Sequence, residues 1–214
     1  PPARFIRLAE DCGLIEAIGE QCLGQALLQL KRWDQSGTSV PRVAVNVSPT
    51  HFRNTNFPAL VEQQLEKHGI APSRLTIEIT ESVMMDAYPA AIANAARLRA
   101  IGVRISMDDF GTGYSSLSHL ARLPVSELKI DRSFMANLED NEAVQALVTA
   151  VVRIGESLGL RVVAEGVETV PQRRFLEALG CDVLQGYLFG EAMPPAVLAQ
   201  WLDRRAEAPM QGVA

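Results

Sequence analysis

Arg74-Leu-Thr-Ile-Glu-Ile-Thr80, a helical run from Tyr88 to Ala100 stopped by Gly102, and Val103-Arg-Ile-Ser-Met-Asp-Asp109 make one strand–helix–strand unit, and its reading decides the fold. Upstream, the same pattern predicts helices over Phe5 to Glu10, Leu14 to Trp33 and Pro58 to Lys67, with a strand from Arg42 to Ser48 built on Val43, Val45 and Val47. Downstream, it predicts a short helix from Ser116 to Arg122, strands from Glu127 to Asp131, Arg161 to Glu165 and Asp182 to Gln185, and helices from Asn141 to Ser157, Pro171 to Leu179 and Pro195 to Ala206. Glycines just past several helices read as C-terminal stops, and Thr169 with Gln172 reads as a capping box. Strands alternating with helices imply an α/β fold, a parallel sheet wrapped by helices. The count is six strands, where a closed (β/α)8 barrel has eight.

Bulk composition agrees with one globular unit. Of the 214 residues, 48% are hydrophobic and 21% charged, which excludes disordered, collagen-like and coiled-coil chains. Twenty Lys and Arg stand against 25 Asp and Glu, a net charge of −5, and no basic run stands out. A nucleic-acid duplex or an anionic membrane surface is therefore not an expected partner. No apolar stretch is long enough to span a bilayer and no secretory leader is visible, so a cytoplasmic domain is expected, with a membrane-anchored parent protein compatible. Cys12, Cys22 and Cys181 are odd in number and scattered, and read as reduced, buried thiols. His51, His68 and His119 show no metal-ligand spacing.

The informative pattern lies inside the strands. Parallel strands are normally buried on both faces and read as continuous apolar runs. Here each of the six carries, near its C-terminal end, one polar or charged residue: Asn46, Glu78, Asp108, Lys129, Glu165 and Gln185. Their neighbours on the opposite face include Val45, Val47, Ile77, Ile79, Met107, Leu128, Ile130, Ala164 and Leu184, which should pack on helices. The polar residues should then look into the barrel, above a layer of small or neutral fillers at Ala44, Thr76, Ser106, Val163 and Val183.

Taken singly, each polar residue has a plainer explanation. Asn46 or Gln185 alone is a strand-end hydrogen bonder, Glu81 and Glu168 alone are solvated loop acids, and Asp131 alone is a partner of Arg132 or a helix cap. Repetition at one level of six strands argues for a site. Glu78, Asp108, Asp109 and Glu165 cannot all stay ionised in one mouth beside a single lysine, because buried carboxylates cost several kcal/mol each and repel one another. A bound divalent metal resolves the excess, and oxygen ligands point to Mg²⁺ or Mn²⁺ rather than zinc. Barrel enzymes hold their sites at this end of the strands.

The motifs resemble the EAL-domain phosphodiesterases of bacterial cyclic di-GMP signalling over nearly the whole chain. The resemblance rests on Phe5-Ile-Arg-Leu-Ala-Glu10, Val45-Asn-Val-Ser48, Glu78-Ile-Thr-Glu81, Asp108-Asp-Phe-Gly-Thr-Gly-Tyr-Ser-Ser116, Leu128-Lys-Ile-Asp-Arg132, Val163-Ala-Glu-Gly-Val-Glu168 and Gln185-Gly-Tyr187, in this order and at these spacings. It implies a TIM-like (β/α)8 barrel that hydrolyses cyclic di-GMP to linear pGpG with one or two Mg²⁺ or Mn²⁺ ions, Ca²⁺ being inhibitory. It assigns metal binding to Asn46, Glu78, Asp108, Asp109 and Glu165. Catalysis falls to Lys129, Glu165, Gln185 and Asp109, with Lys129 and Gln185 also meeting substrate. Glu81 would fix the loop from Asp109 to Ser116, through which family members couple dimerisation to activity, and Asp131 and Glu168 would form a supporting layer. An expected homodimer and an upstream sensor or GGDEF domain in the parent protein follow from the same resemblance.

The family's naming Glu-Ala-Leu segment, with its ligand glutamate, belongs to a strand upstream of Phe5. The first two barrel strands are thus expected outside this chain, in a longer polypeptide, because an open six-strand remnant would leave long apolar edges. Glu177-Ala178-Leu179 repeats the triplet inside a helix and is read as a decoy. The expected organisation is an incomplete EAL domain over residues 1–208 and a flexible tail over 209–214. Two further readings stay open: a weak or inactive EAL domain serving as a cyclic di-GMP receptor or regulatory dimerisation module, and another metal hydrolase on the same fold.

Overall fold

The computed structural model describes residues 2–85, 89–111 and 120–207. In chain order its elements are α1 (Pro2–Asp11), α2 (Ile15–Ser36), β1 (Val43–Asn46), α3 (Pro49–Arg53), α4 (Phe57–His68), a 3₁₀ turn (Pro72–Arg74), β2 (Leu75–Thr80), α5 (Glu81–Met85), α6 (Pro89–Ala100), β3 (Arg104–Phe110), β4 (Glu127–Ile130), α7 (Arg132–Met135), α8 (Glu142–Leu158), β5 (Arg161–Ala164), α9 (Val170–Leu179), β6 (Val183–Leu184) and α10 (Pro195–Glu207). The six strands form one sheet in the order β1-β2-β3-β4-β5-β6, every pair parallel. Sequential order, with helices in the connections β1–β2, β2–β3, β4–β5 and β5–β6, is the α/β arrangement the alternation predicts.

One face of the sheet carries the core. Ile77, Ile79, Met107, Leu128, Ile130 and Ala164 are all but sealed from solvent there, as are Phe52, Val61 and Leu98 from the helices. Each buried Leu, Ile or Phe contributes roughly 1.5–3 kcal/mol of hydrophobic stabilisation, so this face supplies much of what folds the chain. On the other face Thr76, Ser106 and Val163 are buried, Val183 is half-buried and Ala44 is exposed. The inner face is thus covered at its centre and open towards β1 and β6. The same gradient leaves Leu184 half-buried, although its sequence position predicts a helix-packed residue.

Local signals end the helices as read. Thr169 accepts from the Gln172 amide while the Gln172 side chain reaches back, a complete capping box. Asn141 caps α8 by accepting from the Ala143 and Val144 amides, and Gly159 closes it in the left-handed region, at φ 66°. The strands stop earlier than the pattern predicts: β5 ends at Ala164, β4 at Ile130 and β6 after two residues. Three short helices, α3, α5 and α7, fall where the sequence pattern predicts loop or strand end. Each is one turn or little more, too short to show a period. A predicted helix start at Ser116, the Tyr88 start of α6, and the 209–214 tail lie outside the described residues.

One expectation is corrected. Cys12 and Cys22 are exposed and Cys181 is half-buried, so the thiols are not a buried set. Cys12 sits in the turn after α1, and Cys22 lies beside the buried stripe of Leu23, Leu27 and Leu30 rather than on it. Among the described residues no helix is long and apolar enough to cross a membrane.

Candidate functional site

The sheet register shows how the polar side chains meet. Asn46 of β1 is level with Glu78 of β2, and Glu78 is level with Ser106 of β3. Asp108 stands one pleat further along, level with Thr80. The polar residues are therefore staggered, as strands tilted around a curved sheet require, and do not occupy a single level. Between β3 and β4 the register slips: Met107 pairs with Leu128 and Phe110 with Ile130, so Asp108 and Asp109 together face Lys129. This is a β-bulge, a device that turns side chains at sites. Its second residue, Asp109, has φ 58°, and its amide donates to Asp108 Oδ1 at 3.0 Å. A left-handed conformation is tolerated by Asp better than by most residues, because its short polar side chain bonds locally.

Lys129 is the centre of the cluster. Its Nζ lies 3.0 Å from Glu78 Oε1, 3.2 Å from Asp108 Oδ1 and 2.6 Å from Glu165 Oε1. Only 4% of the lysine is exposed. Burial alone would favour its neutral form. Glu78, Glu165 and Asp108 outweigh that and hold the ammonium well above the usual lysine range, so it stays charged at any working pH. Glu78 moves upward too. Its burial dominates, Lys129 opposes it, and Asp108 and Glu165 add repulsion. Asp109 is raised by burial and by the neighbouring Asp108 and Asp131. Four carboxylates beside one ammonium leave the rim with excess negative charge, and their repulsion adds to the burial that raises Glu78 and Asp109.

The other expected residues surround this centre. Asn46 and Gln185 are exposed, each one at or just beyond the end of an outermost strand. Glu81 is buried, and its Oε2 accepts from the Gly111 amide at 3.3 Å, at the root of the loop it was expected to fix. The rest of that loop, residues 112–119, lies outside the described residues. Asp131 caps α7 by accepting from the Ser133 amide at 3.0 Å. Burial works to raise its carboxyl, but the Ser133 and Arg132 contacts outweigh this and hold it below the usual range. Glu168 points its side chain to solvent while its amide donates to Gln172 Oε1 at 2.8 Å. Glu177-Ala178-Leu179 ends α9 and is not at the C-terminal end of a strand.

Sequence reasoning did not single out Gly186. A Cβ there would run into the Val167 backbone, which the Gln185 carbonyl and the Leu188 amide bracket with hydrogen bonds of 3.0 and 3.1 Å. The available signal was a glycine directly after the polar residue of a strand end.

As donors, Glu78, Asp108, Asp109, Glu165 and the Asn46 amide are all hard oxygen groups and fit a divalent cation such as Mg²⁺ or Mn²⁺. Their charge excess fits it as well. As they stand, the carboxylates are gathered on Lys129, and among the described residues no three His, Cys, Asp or Glu side chains form a ready-made metal shell. Binding there requires the ammonium to yield part of its place.

Comparison with known proteins places this rim in context. The family model for the EAL domain matches residues 1–192. The bifunctional diguanylate cyclase/cyclic di-GMP phosphodiesterase MucR of Pseudomonas aeruginosa is 46% identical over 193 residues, covering 90% of this chain and 28% of its own length. A solved structure of the PaMucR phosphodiesterase in complex with c-di-GMP superposes with a TM-score of 0.87 at 46% identity, covering 92% of this chain and 80% of that one. A calcium/cy-diGMP complex of Klebsiella pneumoniae BlrP1 gives a TM-score of 0.74 at 29% identity, covering 82% of this chain and 44% of that one. The chain spans about a quarter of the length of the curated relatives it matches, 24% to 28% in the first three.

Proposed function

This chain belongs to the EAL domain family, and from that premise we propose that it is the catalytic module of a metal-dependent phosphodiesterase that opens one phosphodiester bond of cyclic di-GMP and releases linear pGpG. The observation that carries the reading is the convergence of Glu78, Asp108 and Glu165 on the buried Lys129, at the C-terminal end of the strands. Asn46, Glu78, Asp108, Asp109 and Glu165 would hold Mg²⁺ or Mn²⁺. Bound among them, a divalent ion supplies a water of lowered pKa and neutralises charge at phosphorus.

The chain's own residues do the rest. Lys129, charged throughout, donates to a non-bridging phosphate oxygen as negative charge builds there. Gln185, on the exposed end of the sheet, contacts substrate and orients the attacking water. Glu81 steadies the backbone at Gly111, just after the Asp108-Asp109 bulge. Asp131 and Glu168 support the neighbouring turns. Ca²⁺ takes more ligands and looser geometry than Mg²⁺, so held by the same residues it would supply a poorly oriented water and would inhibit. The module acts within a longer signalling protein, beside a sensor or GGDEF domain, and works as a homodimer coupled through the 109–116 loop.

The test is direct. The purified protein is incubated with cyclic di-GMP and Mg²⁺ or Mn²⁺, and the products are separated by chromatography. Appearance of pGpG that stops on chelation supports the enzyme. Tight binding without product selects a cyclic di-GMP receptor instead.

A further inference from the structure

The one-turn helix α7 (Arg132–Met135) begins three residues after Lys129 and sits between two glycine turns. One is Gly111, just past Asp108 and Asp109; the other is Gly166, just past Glu165. Both have positive φ, 95° and 71°. Space at each is filled by α7. A Cβ on Gly111 would lie 3.0 Å from Phe134 Cζ and 3.2 Å from Phe134 Cε2. A Cβ on Gly166 would lie 2.6 Å from Arg132 Cβ and 3.2 Å from its Cα. Residues two apart on a helix are turned about 200° from each other, so Arg132 and Phe134 face opposite ways.

The helix is anchored against motion. Met135 is buried in the cluster formed with Ile130, Val148 and Leu176, and its carbonyl accepts from Gln172 Nε2 at 3.0 Å. Asp131 caps its first turn. One layer below, Lys129 stands between Asp108 and Glu165 in the same way that α7 stands between Gly111 and Gly166.

We propose that α7 is a wedge that sets the separation of the Asp108-Asp109 arm from the Glu165 arm, with Phe134 as the positioning residue on one side and the Arg132 backbone on the other. The metal-affinity part of this inference rests on the metal-site reading above; the packing part does not. Phe134 is half-buried and touches no reacting group in this reading. Trimming it frees the Gly111 turn and lets the bulge carboxylates drift.

The experiment compares Phe134→Ala, Phe134→Leu and Val152→Ala with the parent protein. Val152 is buried on α8 in the same apolar cluster as Phe134 but is not among the side chains that fill the space at Gly111 or Gly166, so it matches the loss of packing without removing a contact at either turn. Mn²⁺ affinity is read by calorimetric titration, and amide hydrogen exchange is read at residues 109–111. Phe134→Ala is expected to weaken Mn²⁺ binding by about tenfold, the scale of losing an outer support of a metal ligand. It should also speed exchange at 109–111. Phe134→Leu should recover most of both, and Val152→Ala should change neither. Parental affinity and parental exchange in Phe134→Ala overturn the wedge. If the parent binds no Mn²⁺ but exchange still responds to Phe134→Ala, the wedge stands and the metal reading falls.

Discussion

At the C-terminal rim of the sheet's inner face, three carboxylates share the ammonium of Lys129; at the N-terminal rim, three guanidiniums face one carboxylate. The lower set is Arg42, just before β1, with Arg104, Glu127 and Arg161, the first residues of β3, β4 and β5. Burial, then repulsion from Arg104 and Arg161, holds Arg42 below the usual arginine range, against the pull of Glu127. Among the described residues none of these arginine side chains makes an ion pair, whereas Lys129 makes three. The difference lies in water. The three arginines are half-buried and keep part of their water, so their mutual repulsion costs less, although Glu127 among them is as buried as Glu78. Lys129 and Glu78 are nearly sealed, and there an unpaired charge is expensive.

Mutation at the two rims should expose this contrast, and the largest effect belongs to Lys129→Ala. Removing the cation strands three carboxylates and should cost about 3–5 kcal/mol of unfolding free energy, measured by denaturant titration without added divalent ions. Turnover should fall by at least about 100-fold, more than cyclic di-GMP binding does. At the lower rim, Arg104→Ala should cost about 1 kcal/mol or less and leave turnover intact. Equal costs at the two rims would mean that burial does not set the cost of unpaired charge in this sheet.

Next in size is Glu78→Gln. Because burial already disfavours the charged form of Glu78, the neutral isostere should cost less than about 2 kcal/mol in stability. Mn²⁺ affinity and pGpG release should nevertheless both drop. Stability and activity thus separate at this position, where Lys129→Ala moves them together. Glu127→Gln sharpens the comparison from the other end: a loss of about 1 kcal/mol with parental turnover is expected from thermal unfolding and product assays.

The smallest effect is a pH dependence outside both rims. His51 is buried edge-on to Phe57 at 4.7 Å, and its Nδ1 lacks a hydrogen-bond partner among the described residues. Burial holds it below the ordinary value of 6.5, against the attraction of Glu16 and Glu20. Above pH 6.5 the folded and unfolded chains both keep it neutral. As pH falls below that, the unfolded chain takes up a proton that the folded one resists, so stability declines. His51→Gln should flatten that decline in a melting series from pH 7.5 to acid, whereas Lys129 contributes no change across the same range.

Much of this was legible in the sequence, for reasons that differ by residue. The strands were readable because Ile77, Ile79, Met107 and Leu128 alternate with polar partners, and period two survives in even a four-residue strand. Glu78, Asp108, Lys129 and Glu165 stood out because charge on a buried parallel strand is anomalous. The stagger was not legible, since register depends on pairing between strands and not on either strand alone. Nor was the bulge at Asp109, which shows only as one residue too many between Met107 and Phe110. The exposure of Cys22 was not legible because a thiol beside an apolar stripe is indistinguishable by type from one on it, and that of Cys12 because the turn after α1 leaves it off any helix face.

The proposed chemistry depends on the carboxylates around Lys129 gripping a divalent cation. Titrating Mn²⁺ into the parent protein, Glu78→Gln, Asp108→Asn and Arg104→Ala by calorimetry tests it most directly. Saturable binding in the parent and in Arg104→Ala, weakened in both upper-rim variants, is the predicted result. Binding that is absent from the parent, or unchanged in Glu78→Gln and Asp108→Asn, would contradict it.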